Sequence, residues 1–289
     1  MAKTRQPGRA ASPGAKPAAS RTERHEWRTA ITQIEPNKIL VRGYPLDELM
    51  GRVTFAEAIY LLLMGELPSP SIGRLMEALL VSSIDHGATP PSTLAARNVA
   101  TTGAPLRASV AAGVLAFGTP LGGGGAIESC LHFLNSGLEL VRQGVSYEDA
   151  ASGLVERCSE KGEAPPGFGH RFHTRDPRAA RLFQMALEFE LEGTHIQMIR
   201  AVDRVLLTRQ EAKGDRPLPI NIDGAIAAVC GDLGLDAEIG NILFIIARIP
   251  GIVAHAHEEQ KRQPPMREID PRAHVYDGPR ERRPPETRR

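Results

Sequence analysis

Cysteine is scarce in this 289-residue chain: Cys130, Cys158 and Cys230 are all there is. They are odd in number and far apart, so they form neither a zinc-ligand spacing nor a disulfide framework, and they point to a reducing, cytoplasmic setting. An excess of charge is also lacking. Lys plus Arg number 35 against 34 Asp plus Glu, which gives no global field for nucleic acid. No uninterrupted apolar run approaches the ~18 residues that a membrane span requires, so no membrane partner is expected. Strand signals are few as well, with "KILVRGY" the one fair candidate. The length, by contrast, is ample for a substantial core.

What is present reads as helix between two loose ends. Residues 1–22, "MAKTRQPGRAASPGAKPAASRT", carry Lys3, Arg5, Arg9, Lys16 and Arg21 with no acid and almost no bulky apolar side chain. Such a segment has too little to bury to offset its ordering entropy, so a disordered basic tail is expected. It also lacks the apolar face of an amphipathic transit peptide. Residues 280–289 look similarly flexible. Between the tails, Thr54 and Glu57 have capping-box spacing, and Gly65 with Pro68 marks the end of that helix. Ser71 is placed to cap a helix reaching about Ile84. Asp176 reads as an N-cap with Pro177 at the first helical position, and Gly193 as the stop. "HIQMIRAVDRVLLTRQEAKG" has helical periodicity closing at Gly214. "DGAIAAVCGDLG" and "DAEIGNILFIIARIPG" each open on an aspartate and close on a glycine. The fold class is therefore mostly α.

Two tempting motifs lead nowhere familiar. The tetraglycine Gly122–Gly125 is followed by no Gly-Lys-Ser/Thr and preceded by no strand pattern, so it is not a Walker loop. It still allows close backbone approach to a ligand, with a helix beginning near Ala126 aiming N–H groups at it; tight helix packing is the plainer explanation. In "HAHEEQ", His255 and His257 stand two apart and on a helix face nearly opposite sides. Lys261 occupies the place where a zinc-protease pattern would need its second histidine. No metal site is expected.

The remaining motifs, taken in order, resemble the citrate synthase superfamily. "PPGFGHRFHTRDPRA" is similar to its Pro-Gly-Phe-Gly-His…Asp-Pro-Arg signature, "PINIDG" to its Asn-x-Asp segment, and "ARIPGIVAHAHEEQ" to its Arg-x-x-Gly-x-x-Ala-His segment. Upstream, "RGYPLDEL", "TFAEAIYLLLMGELP" and "DHGATPPSTLAAR" resemble its amino-terminal landmarks. The likeness runs from about residue 38 to 279. It implies an all-α homodimer with a large domain (residues 23–125 and 229–279), a small domain (126–228) and the active site in the cleft between them.

The chemistry implied is formation or cleavage of a carbon–carbon bond between acetyl-CoA and a keto acid. A carbanion equivalent must form beside a thioester, which needs a positioned base, and Asp223 at a helix start is the candidate. A plain N-cap is the commoner fate of Asp at such a place; the resemblance is what raises the catalytic role. His170 would bond the keto or hydroxyl oxygen of the C4 acid, polarising it in condensation or taking its proton in cleavage. Pro165, Pro166, Gly167 and Gly169 restrict the backbone that carries it. Arginines suit a polycarboxylate because each offers a planar fork. Arg178 and Arg248 match positions that bind the acid in the family, and His86 matches another substrate-contacting histidine. Gly124, Gly125, Gly167, Phe168 and Gly169 are the expected contacts of the CoA thioester, which is a substrate; no permanently bound cofactor is expected.

The chain departs from the synthases in two places. Gly123 stands where they carry the histidine that stabilises the enol oxygen, and loss of one such donor typically costs ~10²–10³ in rate. Near the end, Asp270 precedes Pro271 where they have an arginine that reaches the neighbouring subunit, with either Arg267 or Arg272 as the candidate substitute; the spacing leaves both open. The citryl-CoA-cleaving members are more similar: the carboxy-terminal part of ATP-citrate lyase also lacks that histidine, and stand-alone citryl-CoA lyases are short chains with a similar Gly-Phe-Gly-His…His-x-x-Asp-Pro-Arg. The favoured expectation is therefore a citryl-CoA lyase, giving acetyl-CoA and oxaloacetate. The alternatives are a citrate or 2-methylcitrate synthase using acetyl-CoA or propionyl-CoA, and a catalytically impaired CoA-ester-binding homologue or regulatory subunit.

Overall fold

A computed structural model describes residues 28–117, 125–170, 173–214, 216–267, 271–273 and 275–282. The basic segment 1–22, the glycines Gly122–Gly124 and the last residues of the C-terminal tail lie outside them. The described chain is mostly α-helical. It opens with a small antiparallel sheet of β1 (Thr32–Glu35), β2 (Lys38–Val41) and β3 (Tyr44–Pro45) in that order. The expected strand "KILVRGY" supplies β2 and the start of β3. β1 was not legible, because its whole length is exposed and carries no apolar alternation. It pairs with β2 across a two-residue turn, where Asn37 takes a left-handed φ of 62°.

Eleven helices follow among the described residues. They are α1 (Leu46–Leu49), α2 (Phe55–Met64), α3 (Pro70–Ser82), α4 (Pro91–Ala100), α5 (Leu106–Leu115) and α6 (Gly125–Arg142), then α7 (Tyr147–Glu160), α8 (Pro177–Glu188), α9 (Thr194–Lys213), α10 (Ile222–Asp232) and α11 (Ala237–Arg262). The capping box of α2 is formed as expected. Glu57 N–H donates to Thr54 Oγ1 at 3.2 Å, Thr54 N–H donates to Glu57 Oε2 at 2.7 Å, and Gly65 closes the helix at φ 89°. Asp176 caps α8 with Pro177 inside it, also as expected.

Other boundaries moved, for identifiable reasons. The cap of α3 is Ser69, not Ser71, because Pro70 takes the first helical position and leaves the cap to the residue before it. α8 ends at Glu188, and Gly193 is the N-cap of α9 instead of the stop of α8. The carboxylate of Asp232 accepts N–H bonds there from Gly193, His195 and Ile196 at 2.8–3.1 Å. A Cβ at position 193 would stand 2.5 Å from that carboxylate, so the glycine serves close approach. α10 is capped by Asn221, whose Oδ1 accepts from Gly224 N–H at 3.1 Å; Asp223 stands inside the first turn.

The largest correction concerns α11. It does not close at Gly251 but runs on through Pro250 to Arg262. A proline inside a helix costs about 3 kcal/mol. Burial on both sides outweighs that: Leu243, Phe244 and Ala247 precede the proline, while Gly251, Ile252 and Ala256 follow it, all packed away from solvent. Each large apolar side chain so buried contributes about 1.5–3 kcal/mol. By length and composition α11 could cross a membrane, a property that the sequence reading did not register. In this fold it packs against α3, α4, α5, α6 and α10 as a core helix.

α10 is the other central element. It touches α6, α8, α9 and α11, and every residue from Gly224 to Cys230 is buried. A helix that is apolar all round belongs in a core, and these four neighbours fix where its N-terminus stands. Beyond α11 the chain is fastened back onto α4. Buried Glu259 accepts from Arg97 Nε at 2.7 Å and from Arg267 Nε at 3.1 Å, and Met266 N–H donates to Thr101 O at 2.7 Å. Arg267, one of the two candidate substitutes for the synthases' subunit-reaching arginine, is thus engaged within its own chain.

The tightest packing lies where α10 meets the Gly167 loop. A Cβ on Gly224 would sit 2.4 Å from Gly167 O, whereas one on Gly153 in α7 would meet nothing within 4 Å. Gly224→Ala is expected to lower stability by about 1–3 kcal/mol through overpacking. Gly153→Ala is expected to gain up to about 1 kcal/mol from helix propensity. Urea titrations of the two variants, followed by helical circular dichroism, compare them directly.

Candidate active site

One cavity of about 420 Å³ collects the sequence-derived candidates. Its lining includes His86, His170, Arg178, Asp223 and Arg248, together with Gly169, Asn221, Phe117 and Phe244. The residues come from separate parts of the chain, and three local devices bring them together.

The first is a short pairing of two loops. Gly169 N–H donates to Pro219 O at 2.8 Å and Asn221 N–H donates to Gly167 O at 3.0 Å, with Phe168 opposite Ile220 in antiparallel register. Asn221 Nδ2 adds a bond to Gly169 O at 3.0 Å. His170 follows one of these strands and Asp223 the other, so the pairing sets both on the same cavity wall. Gly167 and Gly169 have φ of 83° and 86°, and a Cβ on Gly167 would lie 2.7 Å from Gly224 Cα. Glycine is required there by conformation and by space. His173 N–H donates to His170 Nδ1 at 3.1 Å, which orients the imidazole.

The second device is Asp176, which sequence reasoning took for a helix cap only. Its carboxylate is buried and accepts from Arg178 Nε at 3.0 Å and Arg178 Nη2 at 2.8 Å, a bidentate pair. It also accepts from Ile222 N–H at 3.1 Å, tying α8 to the start of α10. Burial alone would raise the Asp176 pKa, but the bonds from Arg178 outweigh it and hold the carboxyl below its ordinary value. The Asp-x-Arg spacing of a capped helix was the one available signal for this clamp.

The third device is α11, which presents Arg248. The Arg248 guanidinium is buried, donates from Nε to Ser83 O at 2.6 Å, and stacks 4.7 Å from the ring centre of Phe244. Burial pulls its pKa down to about 10, with Asp85 and Asp223 pulling the other way, so it stays cationic at neutral pH.

The surroundings favour an anion. α4 begins beside the cavity at Pro91 and Ser92 with no side-chain cap, α8 brings Arg178 from its first turn, and α10 brings Ile222 and Asp223 from its own. Helix N-termini carry partial positive charge, and two arginines add full charges. His86 answers this field: burial, then Arg248 and Arg178, lower its pKa. His170 is likewise lowered, by burial first and then by His173, with Asp176 opposing. Both imidazoles are therefore mainly neutral at pH 7, the form that can accept a proton.

Not every expected contact lines the cavity. Gly169 does, but Phe168 is buried in the hydrophobic core, and Gly167 packs against Cys130 and Gly224. Gly125 is the first residue of α6, while Gly123 and Gly124 lie outside the described residues. Thr89, Ser92, Asn221, Phe117 and Phe244 also line the cavity and were not named as candidates: Asn221 heads the Asn-x-Asp segment and Thr89 and Ser92 lie in a family landmark, whereas nothing local marks Phe117 or Phe244. Cys130 is fully buried, and burial with the nearby Asp223 charge raises its thiol pKa strongly, so it is inert at neutral pH.

Comparison with known proteins meets this geometry directly. The family model described as "Citrate synthase, C-terminal domain" matches residues 25–72 and 68–269. The chain belongs to the citrate synthase family. A solved citryl-CoA lyase from Hydrogenobacter thermophilus is 42% identical, with a TM-score of 0.79 over 90% of this chain and 97% of that one. A curated protein of Mycobacterium tuberculosis named putative citrate synthase 2 is 33% identical over 75% of this chain and 54% of its own length. The chain thus spans about half the length of the curated relatives it matches. The ATP citrate lyase of Methanosaeta concilii, solved with (3S)-citryl-CoA, is 19% identical with a TM-score of 0.73 over 88% of this chain and 42% of that one, a likeness of fold. The citrate synthase-like fold and the mostly helical class expected from sequence are both met.

At pH 6.5, the ordinary histidine value, His86 and His170 are each expected to be more than half neutral. Asp176→Asn removes a negative neighbour that raises His170, so its pKa is expected to fall further. Ring nitrogen shifts of histidine-labelled protein across a pH titration measure both.

Proposed function

We propose that this citrate synthase family member is a citryl-CoA lyase, cleaving citryl-CoA to acetyl-CoA and oxaloacetate. The observation that carries the reading is the meeting of His170, Asp223, Arg178 and Arg248 on one cavity. Similarity to a lyase along nearly the whole of both chains supports it. In this reading Arg178 and Arg248 grip the carboxylates of the acid, with His86 as a further polar contact. Arg178 is already aimed by Asp176, and Arg248 uses Nε on Ser83, which leaves its Nη groups as donors to a ligand. His170, kept mainly neutral, takes the proton of the substrate hydroxyl on Nδ1, the nitrogen that accepts the His173 N–H in this structure and exchanges that bond for the substrate's. The carbon–carbon bond then breaks with its electron pair moving to the carbon beside the thioester, and that carbon receives a proton through Asp223. In condensation the same groups act in reverse, Asp223 as base and His170 polarising the keto oxygen. The cavity volume suits the acid portion, so the CoA portion extends outside it.

The proposal includes a cytoplasmic homodimer, no permanently bound cofactor, and residues 126–228 as a small domain closing on the rest. A partly exposed apolar strip on α5 and α11, with Leu115 and Val253 exposed and Leu106, Val110 and Val114 half-buried, supports the dimer. A second reading, a synthase that also hydrolyses the thioester, is favoured by the 33% identity to putative citrate synthase 2. It would release free CoA thiol from acetyl-CoA and oxaloacetate.

Incubation with citryl-CoA, coupled through malate dehydrogenase, is expected to consume NADH in step with oxaloacetate release. Asp223→Asn and His170→Ala are each expected to reduce the rate by about 10²–10⁴, with unchanged helical circular dichroism. No oxaloacetate from the wild-type protein would remove the lyase reading.

A further inference from the structure

His86 sits on the loop between α3 and α4, a place where a side chain is not held by regular structure. That loop is nevertheless gripped along one side. On α11, Arg248, Gly251 and His255 follow one another at intervals of three and four, so they share a helix face. Arg248 Nε donates to Ser83 O at 2.6 Å. Gly251 lies directly beneath the next residues: a Cβ there would meet Ile84 O at 2.5 Å and Asp85 Oδ1 at 2.7 Å. His255 Nε2 stands 3.1 Å from Asp85 Oδ1. An ionised carboxylate only accepts, so Nε2 carries the proton and donates. Asp85 in turn accepts the Gly87 N–H at 3.0 Å and also a backbone bond from His86, which fixes the backbone on both sides of the His86 side chain. The His255 ring is largely enclosed, with 17% of its side chain exposed, and His257 has no part in this contact.

We propose that His255 is a positioning residue for His86: through Asp85 it fixes the loop conformation that directs the His86 imidazole to the acid-binding cavity. This rests on the reading of that cavity as the substrate site. The role explains why the helix continues past Pro250. If α11 ended at Gly251, the loop would lose one of its three anchors. It also accounts for the histidine in "HAHEEQ" without a metal.

The test uses the full chain labelled with ¹⁵N-histidine, so that the His86 ring signal can be followed in the ligand-free protein, with citrate binding measured in parallel by calorimetry. His255→Asn, too short to reach Asp85, is expected to shift or broaden the His86 signal and weaken citrate binding about tenfold, as for loss of one charge-assisted hydrogen bond. His255→Gln, which places an amide N–H near the Nε2 position, is expected to restore both to within about twofold. In a His86→Ala background, His255→Asn is expected to weaken binding no further, because the two act in series. An unchanged His86 signal in a folded His255→Asn protein overturns the proposal, as does a fully additive loss in the double variant. If wild-type protein binds no citrate, the substrate-site reading fails on its own, and the His86 signal still decides whether His255 positions it.

Discussion

The site depends on a pairing only a few residues long. Where Gly167–Gly169 lies against Pro219–Asn221, two loops nearly fifty residues apart in sequence become one small antiparallel unit. His170 leaves one side of it and Asp223 the other. Neither loop has a regular element of its own at that point, so without the pairing an imidazole and a carboxylate would be independent. The pairing needs glycine at 167 and 224, because each occupies the space where the other's Cβ would lie. Asp176 then locks the unit to α8: both its oxygens accept from Arg178, and Oδ2 also accepts from Ile222 N–H in the first turn of α10. A buried carboxylate with this many donors is stable only while all are in place. The parts that touch the cavity therefore hold one another in register.

Around that unit the helices do two jobs. α10 is buried along its length and gives Asp223 a fixed base, while α11 crosses from the core to the α3–α4 loop and carries Arg248 with it. Packing and electrostatics point the same way. Helix starts converge on the cavity, two arginines flank it, and both histidines respond with lowered proton affinity. The cavity thus offers an anion two guanidinium groups, with mainly neutral imidazoles beside them.

Sequence reading went furthest where the signal is local. The capping box at Thr54, the Asp176–Pro177 helix start and the Gly214 stop were all legible, since each depends on neighbours within one turn. It failed where long-range contacts override a local stop. Pro250 and Gly251 read as the end of a helix, yet burial on both sides carries α11 on to Arg262. Gly193 read as an ending because a glycine's need for space against Asp232, far along the chain, leaves no trace beside it. Phe168 was expected at the ligand because it lies within a motif, but its side chain belongs to the core.

The sequence by itself determined the mostly helical class, because caps and periodicity are local, and its ordered motifs carried the family resemblance, which is what singled out His86, His170, Arg178, Asp223 and Arg248 as candidates. Only the tertiary structure decided that they share one cavity, that Asp176 orients Arg178 as well as capping a helix, and that His255 reaches Asp85. The physical reason is range. Caps and periodicity act over a turn or two, whereas a site is assembled by hydrogen bonds and close packing between segments that meet only after the chain has folded.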